Sequence, residues 1–266
     1  MPTKLDDYTF EDFGLIEEFG HVHPSTPDFT EQTLSIPGRP GLLSLGTQIG
    51  AKQFSLPIKV FVRDRYERQR MKNKFVAFLF DEYRQPREFK LSFDYEQDKY
   101  YFAKIASQIT PEMLFQMDQF ELTLIANDPT KYFLLDADEI TVGSHIPILS
   151  RVRPARHSFV IKSNQTINVV HDGTLAIKPR ITISGSASNV TLKNTRNNKS
   201  FKITDVISTK PIIIYGENYM VTEGGNDTFS KLVGDFLELL PGDNNITVSG
   251  EGLDLIISFK YRAQFM

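Results

Sequence analysis

Residues 36–43 read Ile-Pro-Gly-Arg-Pro-Gly-Leu-Leu, and this stretch decides how the first half of the chain is organised. Glycine adopts positive φ without steric cost, whereas proline fixes φ and donates no backbone hydrogen bond. Two glycines and two prolines within five residues therefore predict a tight, rigid hairpin turn or loop tip rather than the start of a helix. Such a turn is common in proteins, so its meaning depends on the elements around it.

Alternating apolar residues follow this turn and predict strands. Phe54, Leu56, Ile58, Val60 and Val62 occupy every second position, which is the period of a half-buried strand. The same period recurs over residues 89–93, 101–105 and 120–126. We therefore predict that the first half of the chain is mainly β.

One helix is predicted between these strands, over residues 64–81. Asp64 and Glu67 have the spacing of a capping box. Four apolar residues then share one helix face: Met71, Phe75, Phe78 and Leu79. Six basic residues surround that face: Arg63, Arg65, Arg68, Arg70, Lys72 and Lys74. This basic surface is either a site for an acidic partner or an ordinary solvated helix face, and the sequence leaves both open.

The second half is more plainly all-β. Many short apolar segments are separated by turns rich in Gly and Asn, which is typical of an antiparallel β-sandwich. Asp128-Pro129 ends the last strand of the first half, because proline cannot continue a strand ladder. We place the domain boundary near residue 145, which gives domains of residues 1–145 and 146–266.

The composition excludes several kinds of chemistry. The chain has no cysteine, so it has no disulfide, thiolate metal site or thiol nucleophile. Nucleophile-elbow, phosphate-loop and zinc-helix motifs are also absent from the sequence. A net charge of −3 gives no reason to expect nucleic-acid or membrane binding, and no apolar run is long enough to span a membrane. We predict that the protein is not an enzyme and has no cofactor or metal.

Two weaker candidate sites remain. His21 and His23 would share one face of a strand and could bind a divalent ion with a carboxylate. Because the spacing places no third ligand, we favour two ordinary surface histidines in a loop. In the second half, the candidates for an aromatic saccharide contact are Tyr215, Tyr219 and Phe229.

The order of motifs along the chain resembles that of the distal tail (Dit) proteins of siphoviruses, the long-tailed bacteriophages. In the first half the similar motifs are the 36–43 turn, the basic helix, residues 89–94 with 100–103, and residues 127–132. In the second half they are residues 172–174, residues 178–181, Gly185 and, above all, residues 236–248. The resemblance covers roughly the whole chain, but it includes no catalytic signature.

This resemblance implies a fold and a role. The N-terminal domain would be a β-barrel or sandwich with one helix and a projecting hairpin, and the C-terminal domain a galectin-like antiparallel sandwich. The protein would be a structural component of the virion tail tip, synthesised in the cytoplasm of the bacterial host. It would form a hexameric ring, alone or as two stacked rings, that joins the tail tube to the baseplate and lets DNA pass without specific binding.

The implied partners are other copies of the chain, the major tail protein, a tail-associated tip or lysin protein, and receptor-binding or baseplate proteins. We expect the ring interface to contain eight residues: Ile36, Pro37, Gly38, Arg39, Leu42, Leu43, Phe54 and Leu56. We also expect exposed carboxylates from residues 6–32 or 94–98 to line the channel, because an acidic lumen repels phosphates. The alternative function is a carbohydrate-binding module that recognises a bacterial cell-wall glycan.

Overall fold

The computed structural model describes residues 3–136, 157–204 and 210–266. The chain divides into two compact units, Met1–Lys131 and Tyr132–Met266. Each unit has its own cluster of buried apolar side chains, drawn only from that unit. The boundary predicted near residue 145 lies outside the described residues. Within the described ranges, no helix has the length and apolarity required to cross a membrane.

The first unit is mainly β, as predicted. Its ten strands are β1 Lys4–Leu5, β2 Tyr8–Thr9, β3 Ile16–Glu17, β4 Phe29–Ser35, β5 Leu42–Ile49, β6 Lys52–Val60, β7 Phe89–Ser92, β8 Lys99–Ile105, β9 Glu112–Met113 and β10 Asp118–Ala126. Seven of them follow the order β2-β1-β7-β8-β10-β6-β3, and β9 pairs with β10. The alternating side chains of β6 enter the core, and only Val62 of the predicted series lies beyond the strand.

Helix α1 spans Arg65–Leu79, close to the predicted bounds. The Asp64 side chain accepts a hydrogen bond from the Tyr66 amide at 2.9 Å, which confirms this residue as the N-cap. Phe75 and Leu79 are buried, and the ring centroids of Phe75 and Phe13 lie 5.3 Å apart. The apolar face of the helix is therefore held against aromatic residues of the N-terminal segment.

Strands β4 and β5 form a two-stranded sheet of their own, joined by the 36–41 turn. Gly38 and Gly41 adopt φ of 81° and 85°, which is the conformational reason for glycine at these two positions. The predicted hairpin is confirmed, and the turn of residues 36–41 lies at its tip.

The second unit is an antiparallel β structure built on two long strands. Its strands are β11 Lys131–Phe133, which begins at the last residue of the first unit, β12 Ser158–Ile161, β13 Gln165–His171, β14 Arg180–Asn194, β15 Ser200–Ile203, β16 Ile212–Tyr215, β17 Met220–Glu223, β18 Asn226–Asp227, β19 Leu232–Gly234, β20 Gly242–Lys260 and β21 Gln264–Phe265. Strands β14 and β20 pair along most of their length, with register shifts between Ser186 and Thr191. The predicted mainly β fold of the second half is confirmed.

The two halves of each long strand have different partners. The beginning of β14 pairs with β16 and its end with β15, while the beginning of β20 pairs with β13 and its end with β12. Irregular register of this kind bends and twists a strand locally. The shifts between Ser186 and Thr191 therefore lie where each long strand changes its second partner.

The 236–248 motif has a structural role in this unit. The Asn244 side chain is buried, accepts a hydrogen bond from the Leu240 amide at 2.9 Å and donates one to the Leu240 carbonyl at 2.8 Å. The buried Asn194 side chain donates to Asn244 Oδ1 at 3.0 Å. These bonds fix the turn that leads into β20, because buried amides must find partners.

Candidate functional site

The β4–β5 hairpin is the most exposed part of the first unit. Every residue of β4 is exposed, and in β5 only Leu43 is half-buried. Six large apolar side chains of the hairpin are exposed: Phe29, Leu34, Ile36, Leu42, Leu45 and Ile49. Phe29 faces Ile49 at the base and Leu34 faces Leu43 near the tip.

These pairs lie on opposite faces of the ribbon, because Phe29 and Leu34 are an odd number of residues apart along one strand. A two-stranded hairpin is marginally stable in water unless it packs against something. Apolar residues on both faces of a projecting ribbon therefore indicate a surface that another molecule covers. Among the residues expected at a ring interface, those of the 36–43 turn are exposed, apart from the half-buried Leu43.

Phe54 and Leu56 are not exposed, so the expectation that these two residues lie at an interface was wrong. Both side chains are fully buried in the core of the first unit. Their strand, β6, pairs along its whole length with β10 on one side and partly with β3 on the other. Because β6 lies inside the sheet, it cannot accept a neighbouring strand along its length. Period-two alternation reveals burial but does not distinguish a central strand from an edge.

The basic residues of helix α1 divide into two groups. Arg68 and Lys72 are buried and surround the buried carboxylate of Asp118. Lys72 Nζ lies 2.5 Å from Asp118 Oδ2, and Arg68 Nε lies 3.3 Å from Oδ1. The interpretation of the six basic residues as an ordinary solvated helix face is therefore wrong for Arg68 and Lys72. The other four, Arg63, Arg65, Arg70 and Lys74, remain exposed.

An apolar recess lies beside the same helix. It has a volume of about 240 Å³ and is lined in part by Phe75, Val76, Ile109, Pro111 and Met113. It was not predicted from the sequence. The run Met113-Leu114-Phe115 was the available signal, because three consecutive apolar residues outside a periodic element are unusual in a solvated loop.

A more polar cleft of about 750 Å³ adjoins the recess, and the two share Gln69, Lys72 and Met113. Its lining includes Arg63, Arg65, Tyr66 and Phe115. The Phe115 side chain is 91% exposed. We call the recess and this cleft together the helix groove.

His21 and His23 are not ordinary surface histidines, and that interpretation was wrong. His21 stacks on Tyr95, with ring centroids 5.8 Å apart, and His23 stacks on Phe93 at 4.6 Å. His23 Nδ1 and the Tyr95 hydroxyl are hydrogen-bonded at 2.5 Å. In the described part of the chain, no group of three or more acidic or histidine side chains is placed to hold a metal ion.

Lys52 lies beneath this histidine cluster. It is buried and donates a hydrogen bond from Nζ to the Tyr101 hydroxyl at 3.1 Å. Burial, together with the charges of Lys131 and Lys52, lowers the pKa of His23 from 6.5 to about 4. The His23 ring is therefore uncharged near neutral pH, and His21, His23, Phe93 and Tyr95 pack together as an aromatic layer.

The carboxylates of residues 94–98 are largely buried or held in ion pairs within the first unit. Asp98 is buried, and Glu96 pairs with Lys99 at 3.1 Å and with Lys131 at 2.8 Å. Although burial opposes it, the hydrogen bond from Lys131 lowers the pKa of Glu96. Of the two stretches expected to line a channel, residues 6–32 present more exposed carboxylates, including Asp7, Glu11 and Glu31.

The three aromatic residues proposed for saccharide contact are only partly brought together. Tyr219 and Phe229 both contact Phe236, with ring centroids 5.2 Å and 6.2 Å away. Lys178 Nζ lies 4.4 Å from the centroid of the Tyr219 ring and is hydrogen-bonded to its hydroxyl. Tyr215 is half-buried on β16, with the Arg180 guanidinium 5.0 Å from its ring.

Comparison with known families follows this division of the chain. Residues 8–126 match a phage tail protein RIFT-related domain, and residues 172–265 match the C-terminal domain of siphovirus-type tail components. No curated protein matches the sequence.

One solved structure shares the fold of this chain. The Dit protein of phage SPP1 is 14% identical, with a TM-score of 0.73 over 100% of this chain and 99% of that one. The phage P2 baseplate in its activated conformation with Ca is 11% identical, with a TM-score of 0.41 over 97% of this chain and 94% of that one. The second likeness is too distant to bear on the fold, whereas the first extends through both units.

Together these matches define a structural component of a siphovirus-type phage tail. Within that class, the chain belongs to the distal tail proteins, as its sequence motifs predicted. Its place is the virion tail.

Proposed function

We propose that this protein is a non-catalytic hub that forms a hexameric ring at the tail tip. The ring joins the tail tube to the tip and baseplate proteins, and DNA passes through its centre. The observation that carries this proposal is the β4–β5 hairpin, whose apolar residues are exposed on both faces. The SPP1 protein that shares the fold is described as a paradigm of the hub adsorption apparatus in phages that infect Gram-positive bacteria.

The distribution of exposed apolar residues supports assembly through the first unit. Most of the large apolar side chains that are exposed in the described ranges belong to residues 3–131. Exposed apolar surface usually marks a protein interface where it is contiguous. The second unit is then available for receptor-binding or baseplate partners.

Charge supports passage of DNA. Residues 1–35 contain one lysine and eight acidic residues, a net charge of −7. Carboxylates that face the lumen would repel phosphates, so DNA would move through without binding. Making these carboxylates neutral should increase retention of short duplex DNA by the ring in a low-salt binding assay. Equal DNA retention by the neutralised and native rings would argue against an acidic lumen.

The ring is tested by light scattering after size-exclusion chromatography, alone and with tail-tube protein. We expect a mass of about six times the 30.4 kDa protomer. Because Leu42 and Leu45 are exposed hairpin residues, the variant Leu42→Asp/Leu45→Asp should remain folded but elute as a monomer. Loss of the apolar surface, rather than unfolding, is the expected cause.

Val233→Asp is the matched control, because Val233 is an exposed apolar residue of the second unit. It should keep the ring mass. A native protein that stays monomeric at every concentration, with or without tail-tube protein, would refute the hub. Rings formed equally well by the hairpin variant would refute the role of the hairpin.

The alternative function is saccharide recognition by the second unit, and an exposed aromatic surface favours it. Tyr219 and Phe229 converge on Phe236 and are each about half exposed, which gives an aromatic surface of the type that sugars stack on. Co-sedimentation with purified bacterial cell walls tests it. Cell-wall binding that falls in the double variant Tyr219→Ala/Phe229→Ala but not in Tyr215→Phe would support a glycan site. If the native protein does not bind cell walls, the alternative function is refuted.

A further inference from the structure

The helix groove is an exposed, mainly apolar hollow beside the basic end of α1. Val76 and Met113, which line it, are 42% and 69% exposed. Phe115 projects from its rim, and Arg63 and Arg65 lie in its polar extension. The hairpin and this groove are thus two different apolar surfaces on one unit.

A closed ring built from identical subunits requires this kind of pair. Its interface is heterologous, which means that one patch of each subunit meets a different patch of the next. We propose that the helix groove receives the tip of the β4–β5 hairpin from the neighbouring copy in the ring. The inference rests on the proposed ring and adds the partner surface on each subunit.

The dimensions of the hairpin fit this contact. Its strands have seven and eight residues, and eight residues of strand span about 25 Å, so the tip can reach well beyond its own unit. Leu34, Ile36 and Leu42 near the tip are exposed aliphatic side chains. Such side chains fit a recess of about 240 Å³ better than a long charged side chain does.

The charge of the two surfaces is compatible with the same pairing. Residues 29–49, which form the hairpin, contain one acidic residue, Glu31, and one basic residue, Arg39, so the hairpin has no net charge. Residues 61–79, which include α1, carry +4 from six basic and two acidic residues. Like charge disfavours pairing of the basic groove with another groove, whereas a neutral apolar hairpin meets no net repulsion from it. A second copy is therefore the occupant that we assign to the groove.

Because the chain has no cysteine, single cysteines can report this contact without background. We would mix Leu42→Cys with Met113→Cys at ring-forming concentration, oxidise mildly, and measure dimers on a non-reducing gel. Two different chains exclude a bond within one molecule. Thiols held within disulfide reach should give about a tenfold excess of dimer over a pair that meets only by collision.

The control pair is Leu42→Cys with Tyr83→Cys, because Tyr83 is 81% exposed but does not line the groove. Circular dichroism verifies that each variant folds, and light scattering measures assembly in the same samples. An excess of the Leu42–Met113 dimer supports the proposal. Dimers of Leu42→Cys with itself in the same excess would overturn it, since they indicate a symmetric contact between hairpins.

Two further outcomes separate this inference from the hub itself. Rings that form without excess crosslinking between Leu42 and Met113 would overturn the groove contact and leave the hub standing. If neither rings nor crosslinked dimers form under any condition, both proposals fall.

Discussion

Asp118 lies at the start of β10, buried between two cations of helix α1. Arg68 and Lys72 are also buried, so the carboxylate is their counter-charge inside the unit. Asp118→Ala should destabilise the first unit by about 3–5 kcal/mol, because it leaves two buried cations without that charge. Urea unfolding followed by circular dichroism measures the loss.

Glu121→Ala on the same strand is the matched control, because Glu121 is exposed. Its effect should stay within about 0.5 kcal/mol. Replacing all three charges with apolar residues (Arg68→Met, Lys72→Met and Asp118→Leu) should recover much of the stability lost in Asp118→Ala. Equal losses in Asp118→Ala and Glu121→Ala would show that the buried charges do not need their partner.

His23 gives the first unit a dependence on pH. Its pKa is about 4 in the folded protein, because burial and the nearby Lys131 and Lys52 disfavour the charged form, and 6.5 is its ordinary value. Between these values the unfolded chain binds more protons than the folded one. The stabilising contribution of His23 is therefore complete above pH 6.5 and is lost as the pH falls towards 4.

We expect NMR titration of the His23 ring to give a midpoint near pH 4. The stability of His23→Gln should fall less steeply between pH 6.5 and 4 than that of the native chain, because the substituted residue does not titrate. His21→Gln, which keeps His23, should retain the slope that His23 causes. A His23 midpoint near 6.5 would contradict the packing described for the aromatic layer.

At the scale of elements, the close pairing of β14 with β20 depends on Gly185. It adopts φ of 115°, pairs with Leu255 in the β14–β20 ladder, and a Cβ there would lie 2.1 Å from the Asp254 carbonyl oxygen. Gly185→Ala adds this clash to the backbone strain of positive φ. We expect it to cost about 3 kcal/mol or more in urea unfolding.

Gly252→Ala is the control variant, because it adds the backbone strain of positive φ without adding the clash. Gly252 also has positive φ, at 60°, but a Cβ there would have no atom within 4 Å. Its cost should therefore be about 1 kcal/mol. If both variants lose the same stability, close approach of the two long strands at Gly185 is not what requires glycine.

At the scale of the whole molecule, the two hydrophobic clusters share no residue. Asp118 belongs to the first unit and Gly185 to the second. We therefore expect the losses from Asp118→Ala and Gly185→Ala to add within about 0.5 kcal/mol in the double variant, as is usual for independent sites. A double-mutant cycle in urea measures the coupling, and a coupling above 1 kcal/mol would mean that these two sites influence one another.

The regular elements could be predicted from local patterns. Alternation identified β6 and β10, a cap and an apolar stripe identified α1, and paired Gly and Pro residues identified the hairpin turn. Each of these signals acts within a few residues, so the sequence contains it in full. The order of the motifs was enough to place the chain among the distal tail proteins.

Only the tertiary structure decided which surfaces are available. In the structure, Phe54 and Leu56 lie in the core. Arg68 and Lys72 pair with Asp118, and His23 packs against Phe93. The tertiary structure also forms the helix groove from segments more than thirty residues apart in sequence. Exposure and charge pairing depend on which distant segments meet, and a pattern confined to neighbouring residues does not contain that information.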